Sequence, residues 1–271
     1  MTELLSIFQF DFMIRAFIAG GIVAVIAPMI GTFLVVKQYS LMFDTLAHVA
    51  LAGVAIGLLT STQPVIAAVI LTVIAAVAIE RLRDKGQIYG ESVLAIFLSG
   101  SLAVAVVLIS LADGFTVDLF SFLFGSITTV SQTDVYTIVA LGIAVAMTIV
   151  GFYKELFLTS FDEELAQSSG LRVQLINTAI VVMAAVTVAL SMRIVGALLI
   201  GALMVIPVVT GIRLSRSFKG TMVIAVIAGM VSVVLGLFSS YFYDLATGGT
   251  IVVIALGLFL LSFLFPRRSI G

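Results

Sequence analysis

The sequence predicts an all-α fold: a polytopic integral membrane bundle of eight to nine transmembrane helices. Composition is the first reason, since 62% of the 271 residues are hydrophobic and 10% charged, against roughly 45–50% and 25% in a soluble domain. Mean hydropathy is +1.33. The second reason is spacing: apolar windows of about 20 residues, the length that crosses a hydrocarbon core, recur along the whole chain. The third is the distribution of Lys and Arg, which gather in alternate loops as the positive-inside rule requires.

The elements follow in chain order. The N-terminal "MTELLSIFQFDFMIRAF" carries Glu3 and Asp11 but no early basic cluster and no small-residue cleavage site, so it reads as retained and not as a signal peptide. Spans are expected near 14–36, 44–60, 63–82, 91–112, 134–153, 175–192, 195–212, 220–243 and 249–265, nine in all. Between the fourth and fifth, "LFSFLFGSITTVS" (119–131) is too short and too rich in Ser, Thr and Gly to cross; it reads as re-entrant or interfacial, tolerable only where protein buries its backbone. At "LSMRIVG" (190–196) the chain has only Gly196 as a turn former, so an eight-span chain or a broken helix fits there too. Pro28 and Pro207 mark kinks or breaks. Gly53 with Gly57, and Ala197 with Gly201, are small residues four apart that permit close helix packing.

Lys37, Arg81, Arg83, Lys85, Lys154, Arg172, Arg213, Arg216, Lys219, Arg267 and Arg268 all fall on one side of this arrangement, and only Arg15 and Arg193 fall elsewhere. That side is cytoplasmic. The opposite loops carry Asp113, Asp118, Asp134 and Asp244, which gives an acidic outer face, an external N-terminus and an internal C-terminus. The longest polar segment, about 154–174, is below the roughly 40–50 residues a self-supporting aqueous domain needs, so 1–271 is expected to be one transmembrane domain.

Several function classes are excluded. Net charge is −1 with no basic stripe, so nucleic acid is not a partner. Cysteine is absent, which removes disulfides, thiolate metal sites and cysteine nucleophiles. One histidine and no paired acids beyond a surface "DEE" leave little catalytic equipment, so an enzyme is not expected. No G-x-x-x-x-G-K-[ST] loop occurs, so ATP is not bound here, and any transport must draw on a gradient or on another subunit.

The residues that invite a function are Asp44 and His48, the only histidine. Four apart, they share a helix face, and ionisable groups inside a membrane usually face a bundle interior or a wet cavity. A carboxylate and a neutral imidazole suit zinc, and suit Mn(II) or Fe(II) less selectively. Two ligands are too few for a four-coordinate site, so others must come from elsewhere, a second copy of the chain or water among them. The competing reading is structural: Asp44 caps the helix and His48 bonds to it or to a neighbouring helix. A metal-binding imidazole must be neutral, so transport should weaken as pH falls. Glu91, at the start of the fourth span, is a lesser candidate, as capping there is equally natural. Asp118, Asp134 and Asp244 either attract cations or are simply solvated, and Arg193 is a candidate partner for one of them.

The segment 157–173, "FLTSFDEELAQSSGLRV", reads as a short exposed cytoplasmic helix, with Thr159 or Ser160 as its cap, acids in the first turn and Gly170 as its stop. Phe161 and Leu165 give it an apolar side suited to a partner's groove.

Six stretches, "SLMFDTLAHVALAGVAIG", "ESVLAIFLSGSLAVAVVLIS", "LFGSITTVSQTD", "FDEELAQSSGLRV", "RIVGALLIGALMVIPV" and "DLATGGTIVVIALG", run in order from Ser40 to Gly257. In that set the chain resembles the permease subunits of bacterial ATP-binding cassette importers for zinc and manganese. "DTLAH" is similar to the zinc-type members, whereas manganese-type members more often read "DAISH". The resemblance implies a multi-pass homodimer in the bacterial plasma (inner) membrane, embedded in lipid, with no permanently bound cofactor and Zn2+ or Mn2+ as transported substrate. It implies two cytoplasmic ATPase subunits docked on coupling helices, and an extracellular metal-binding lipoprotein as donor. Asp44 and His48 match the family's pathway acid and histidine, with Glu91 of lower rank; Phe161, Asp162, Glu163, Glu164, Leu165 and Gly170 fall in its coupling helix. Lys37 and Gln38 stand where many members have two basic residues. The alternatives are a manganese- or iron-specific permease of the same family and a proton-coupled secondary metal transporter that uses the pair as a relay.

Overall fold

The computed structural model describes residues 7–84, 86, 89–111 and 117–265, with all side chains there except those of residues 8 and 117–119. Lys85, Asp113, Arg267, Arg268, Glu3 and the side chain of Asp118 lie outside the described residues. The described elements are all helical: α1 (Asp11–Val36), α2 (Leu41–Leu59), α3 (Pro64–Asp84), α4 (Gly90–Leu111), α5 (Val117–Phe124), α6 (Gln132–Gly151), α7 (Tyr153–Phe161), α8 (Glu163–Ser168), α9 (Val173–Val195), α10 (Ile200–Leu214), α11 (Phe218–Tyr243) and α12 (Thr247–Leu261). Eight of them, α1–α4, α6, α9, α11 and α12 with its 3-10 extension to Leu264, are long and apolar enough to cross a membrane.

The ninth expected crossing, 195–212, is corrected to α10, which begins only at Ile200. Its fifteen residues reach about 22 Å at 1.5 Å per residue, short of the ~30 Å hydrocarbon core. The chain breaks at Gly196, whose φ of 86° is left-handed, as the broken-helix alternative anticipated. Ala197 therefore lies outside any helix, and the expected Ala197/Gly201 packing stripe does not form.

Helices α1, α2 and α9 form the centre: 72%, 72% and 67% of their most apolar windows are buried, against 22% for α4 and 28% for α12. Peripheral helices turn apolar side chains such as Ile70, Ile74, Ile96 and Val107 outward, where lipid takes the place that core packing holds in water. Small residues set the closest approaches. A Cβ on Gly53 would lie 2.6 Å from Ala68 Cα and one on Gly57 2.7 Å from Pro64 Cα, so these two glycines seat α2 on α3. Pro28 has no N–H to give the Ala24 carbonyl. Gly229 of α11 packs there instead, with room for no side chain between Pro28 Cγ and Ala24 O.

The 119–131 segment meets the break before α10. Ala197 N–H donates to Phe122 O (2.8 Å), Leu198 N–H to Leu123 O (3.3 Å), and Ser126 N–H to Arg193 O (3.0 Å). The end of α5 with the stretch after it, and the end of α9 with the turn before α10, thereby satisfy each other's backbone, the condition for irregular chain at membrane depth. Gly248 closes this junction: a Cβ there would stand 1.8 Å from Val195 O, whereas Gly249 has nothing within 4 Å. Gly248→Ala is expected to cost about 1–3 kcal/mol, as overpacking against backbone does. Gly249→Ala should be neutral or stabilising, because alanine is the better helix former. Thermal unfolding of the two variants in detergent checks this, and equal midpoints would refute the junction's tightness.

Candidate functional site

Asp44 lies in the first turn of α2 and His48 one turn on. Through residues 41–55 the helix is buried except along Leu41, Asp44 and His48, which form an open strip. His48 Nδ1 is 2.7 Å from the Asp44 backbone carbonyl. A carbonyl oxygen can only accept, so Nδ1 carries a proton, and in the neutral imidazole Nε2 is the nitrogen left with a lone pair. The structural alternative had His48 bonding to Asp44 or to a neighbouring helix; it does bond to Asp44, through the main chain, and the carboxylate stays open.

That carboxylate rests against Gly201 in the first turn of α10, where a Cβ would come within 2.3 Å of Oδ1. The break before α10 thus brings the positive end of a helix dipole beside an anionic group. Among the described residues no hydrogen bond reaches the Asp44 carboxylate, and no group of three or more His, Cys, Asp or Glu side chains could hold a metal. Glu91 is exposed in the first turn of α4 and is not part of such a group. One chain therefore offers two open donors, an oxygen and a nitrogen, on one face.

The cytoplasmic segment differs from expectation at its start. Thr159 and Ser160 are buried within α7 and cap nothing; the cap of α8 is Asp162, extended at φ −150°, whose carboxylate accepts from Leu165 N–H at 2.9 Å. The helix Tyr153–Phe161 runs on through Thr159 and Ser160, so the break falls at Asp162, whose carboxylate accepts that N–H. Gly170 ends α8 as expected, with φ 83°, Gly170 N–H bonded to Gln167 O and Leu171 N–H to Ala166 O, the Schellman arrangement. Phe161 and Leu165 are 72% and 52% exposed. Glu164 is exposed beside them.

Glu163 turns inward to Lys37, at 2.7 Å. Burial pushes its carboxyl upward, but the Lys37 hydrogen bond and charge, with help from the Asn177 amide, outweigh this and hold it below the usual carboxylate range. Lys37 and Asn177 had no assigned role in the sequence. The signal available was Lys37 at the very end of an apolar span, and a lone Asn near the start of another.

At the opposite end Asp134 is wholly buried, which corrects the expectation of a solvated or cation-gathering acid. Gln63 donates to its Oδ1 at 2.7 Å, Ser131 Oγ to its Oδ2 at 2.8 Å, and Arg193 Nε stands 3.2 Å from Oδ2, close but poorly aligned for a hydrogen bond. The Arg193 guanidinium lies over the Phe122 ring, 4.2 Å from its centroid. Arg193 is thus the partner of Asp134, and both serve the junction described above. Asp244 is exposed at the C-terminus of α11 and lines a cleft of about 450 Å³ with Ser126, Thr128 and Thr247.

Known proteins with this architecture cover the full chain. The membrane protein ZnuB of the high-affinity zinc uptake system of Haemophilus influenzae is 35% identical over 97% of this chain and 100% of its own. The manganese transport system membrane protein MntC of Halalkalibacterium halodurans is 31% identical over 98% and 91%. The structure of PsaBC from Streptococcus pneumoniae in complex with Fab superposes with a TM-score of 0.88 at 31% identity, covering 99% of this chain and 97% of that one. The model of the ABC 3 transport family matches residues 9–266. The chain, a multi-pass membrane permease subunit and not an enzyme, belongs to the ABC 3 transport family.

Proposed function

We propose that the chain forms the pathway by which an ATP-binding cassette importer brings divalent metal, zinc by preference, into the cell. The observation that carries this is the open strip on α2: Asp44 with an unpaired carboxylate, and His48 with Nε2 freed by the bond from Nδ1 to the main chain. Two donors per chain are half of a tetrahedral shell. A second copy across a twofold axis, as the family resemblance implies, supplies the other two, so Asp44 and His48 of a homodimer hold one ion. Residues 1–271 act as one permease domain, and Glu91 stands outside the shell.

Energy comes from separate ATPase subunits that dock on 157–173 through the exposed Phe161 and Leu165, flanked by Asp162, Glu163 and Glu164 and ended at Gly170. An external metal-binding lipoprotein delivers the ion to the outer face. ATP binding moves the docked segment and changes which side of the membrane the metal pair faces, so that no open pore forms. The preference for zinc rests on the "DTLAH" stretch and on a nitrogen–oxygen donor set, for which zinc outranks manganese and iron. Relatives named for zinc and for manganese are both similar to this chain.

The test is radiozinc uptake into proteoliposomes that hold the permease with its ATPase and donor protein, with unlabelled competitors. Zinc is expected to compete about tenfold better than manganese, a difference of 1.4 kcal/mol. Equal or better competition by manganese would make manganese the cargo. Uptake that collapses with an uncoupler while ATP is maintained would instead favour the proton-coupled carrier.

A further inference from the structure

Lys37 is a cation with almost no access to water: its side chain is 4% exposed. Its ammonium donates to Glu163 Oε1 at 2.7 Å, to Asn177 Oδ1 at 2.6 Å and to the Thr159 carbonyl at 3.4 Å. Asn177 closes the triangle by donating Nδ2–H to the same Glu163 oxygen at 3.0 Å. An ammonium has three protons to donate, and here each has an acceptor. Four elements meet on this one nitrogen: the end of α1, Thr159 of α7, the first residue of α8 and the start of α9.

The α1 end is stiff. Gln38 takes the left-handed conformation at φ 60°, Gln38 N–H bonds to Val35 O at 3.0 Å and Tyr39 N–H to Leu34 O at 2.8 Å. This is the same closure that ends α8, made without glycine, and the four residues 37–40 lead straight into α2. Tyr39 is clamped as well, with the Arg83 guanidinium 3.6 Å from its ring centroid and Lys37 Nζ 5.6 Å from it. Asp44 lies in the first turn of the helix that leaves this corner.

We propose that Lys37 is the positioning residue that transmits displacement of the cytoplasmic segment 162–170 to Asp44 and His48. Resting on the reading of that segment as the ATPase docking element, the inference adds the route: Glu163 pulls on Lys37, and the rigid 37–40 corner turns the first turn of α2. The pair suits such a link because Lys37 is almost wholly buried, so parting it from Glu163 leaves its charge short of an acceptor, whereas moving the two together keeps the bond. Direct contact between α8 and α2 is not needed.

The test uses the assembled complex of permease, ATPase and donor protein in proteoliposomes, measuring radiozinc moved per ATP hydrolysed. In Lys37→Met the ATPase is expected to stay bound and to hydrolyse ATP, while zinc moved per ATP falls by about tenfold or more, the scale of a coupling free energy between sites. Glu163→Gln should fall less, since a neutral amide oxygen still accepts. Lys37→Glu combined with Glu163→Lys should recover part of the ratio, which a role in packing alone would not do. An unchanged ratio in Lys37→Met overturns the link, and so does a failure of the double variant to exceed Lys37→Glu alone. The docking reading is tested separately by Phe161→Asp with Leu165→Asp. An ATPase that still co-purifies with that chain overturns the docking assignment itself, while its loss leaves the Lys37 result to be judged on its own.

Discussion

Zinc uptake is expected to fall by more than about a hundredfold in His48→Ala and in Asp44→Ala, beyond the ten- to hundredfold that loss of an outer-shell partner of a metal costs. Each substitution removes one donor from every copy, which in a twofold pathway leaves two of four. Neither should disturb folding much, because both side chains lie on the open strip of α2 and the tight contact that is lost is that of the Asp44 carboxylate with Gly201. The measurement is uptake at matched membrane abundance in the complete importer, with thermal unfolding in detergent as the control. The two variants separate the roles further. His48→Gln keeps a polar side chain of similar reach but no imidazole, and should remain inactive if Nε2 is the donor. Uptake within twofold of the parent in both alanine variants would make the pair a helix-start device and move the pathway elsewhere. The Gly201 contact predicts that the carboxylate is sensitive to its neighbour, since no side chain fits between α10 and Asp44 Oδ1.

The second large effect is on stability. Asp134→Ala should cost about 3–5 kcal/mol, the range for breaking a buried ion pair by removing one partner. Asp134 has no exposure and Arg193 has 13%, so the arginine cannot simply turn to water. Gln63 Nε2 loses its acceptor at the same time, and α6 loses the reciprocal cap between Ser131 and Asp134. Asp134→Asn retains a carbonyl oxygen and should cost less. Chemical or thermal unfolding in detergent orders the three proteins. A loss within about 0.5 kcal/mol for Asp134→Ala, typical of surface substitutions, would mean that Arg193 has another partner in the unsubstituted protein. Because Arg193 also presents its carbonyl to Ser126, the damage should spread to the break before α10.

Much of the local structure was legible because it follows from short-range rules. Apolar windows of membrane-spanning length located eight full helices to within a few residues. Gly170 as a stop, Gly53 with Gly57 as a packing seat, and a non-crossing stretch at 119–131 are likewise properties of neighbouring residues and of the φ values or approaches they permit. The cap at 157–173 was misread by two or three positions, since Thr159, Ser160 and Asp162 can all accept the relevant hydrogen bond. Only the continuation of α7 through Phe161 decided among them. Asp44 and His48 were visible as a pair because a spacing of four is one helical turn.

What the amino-acid sequence determined by itself is therefore the class of fold, the position of the long spans and the chemistry of the two donors. Tertiary structure alone decided their exposure and the company of Gly201. It also decided that Asp134 is a buried anchor and that Lys37, 126 residues from Glu163 along the chain, is its partner. Helix periodicity reports only which face of one element is apolar. Which polar group meets which across a bundle depends on crossings and breaks that no local pattern encodes. The cost of leaving a buried charge unpaired then selects the partners once the helices are in place.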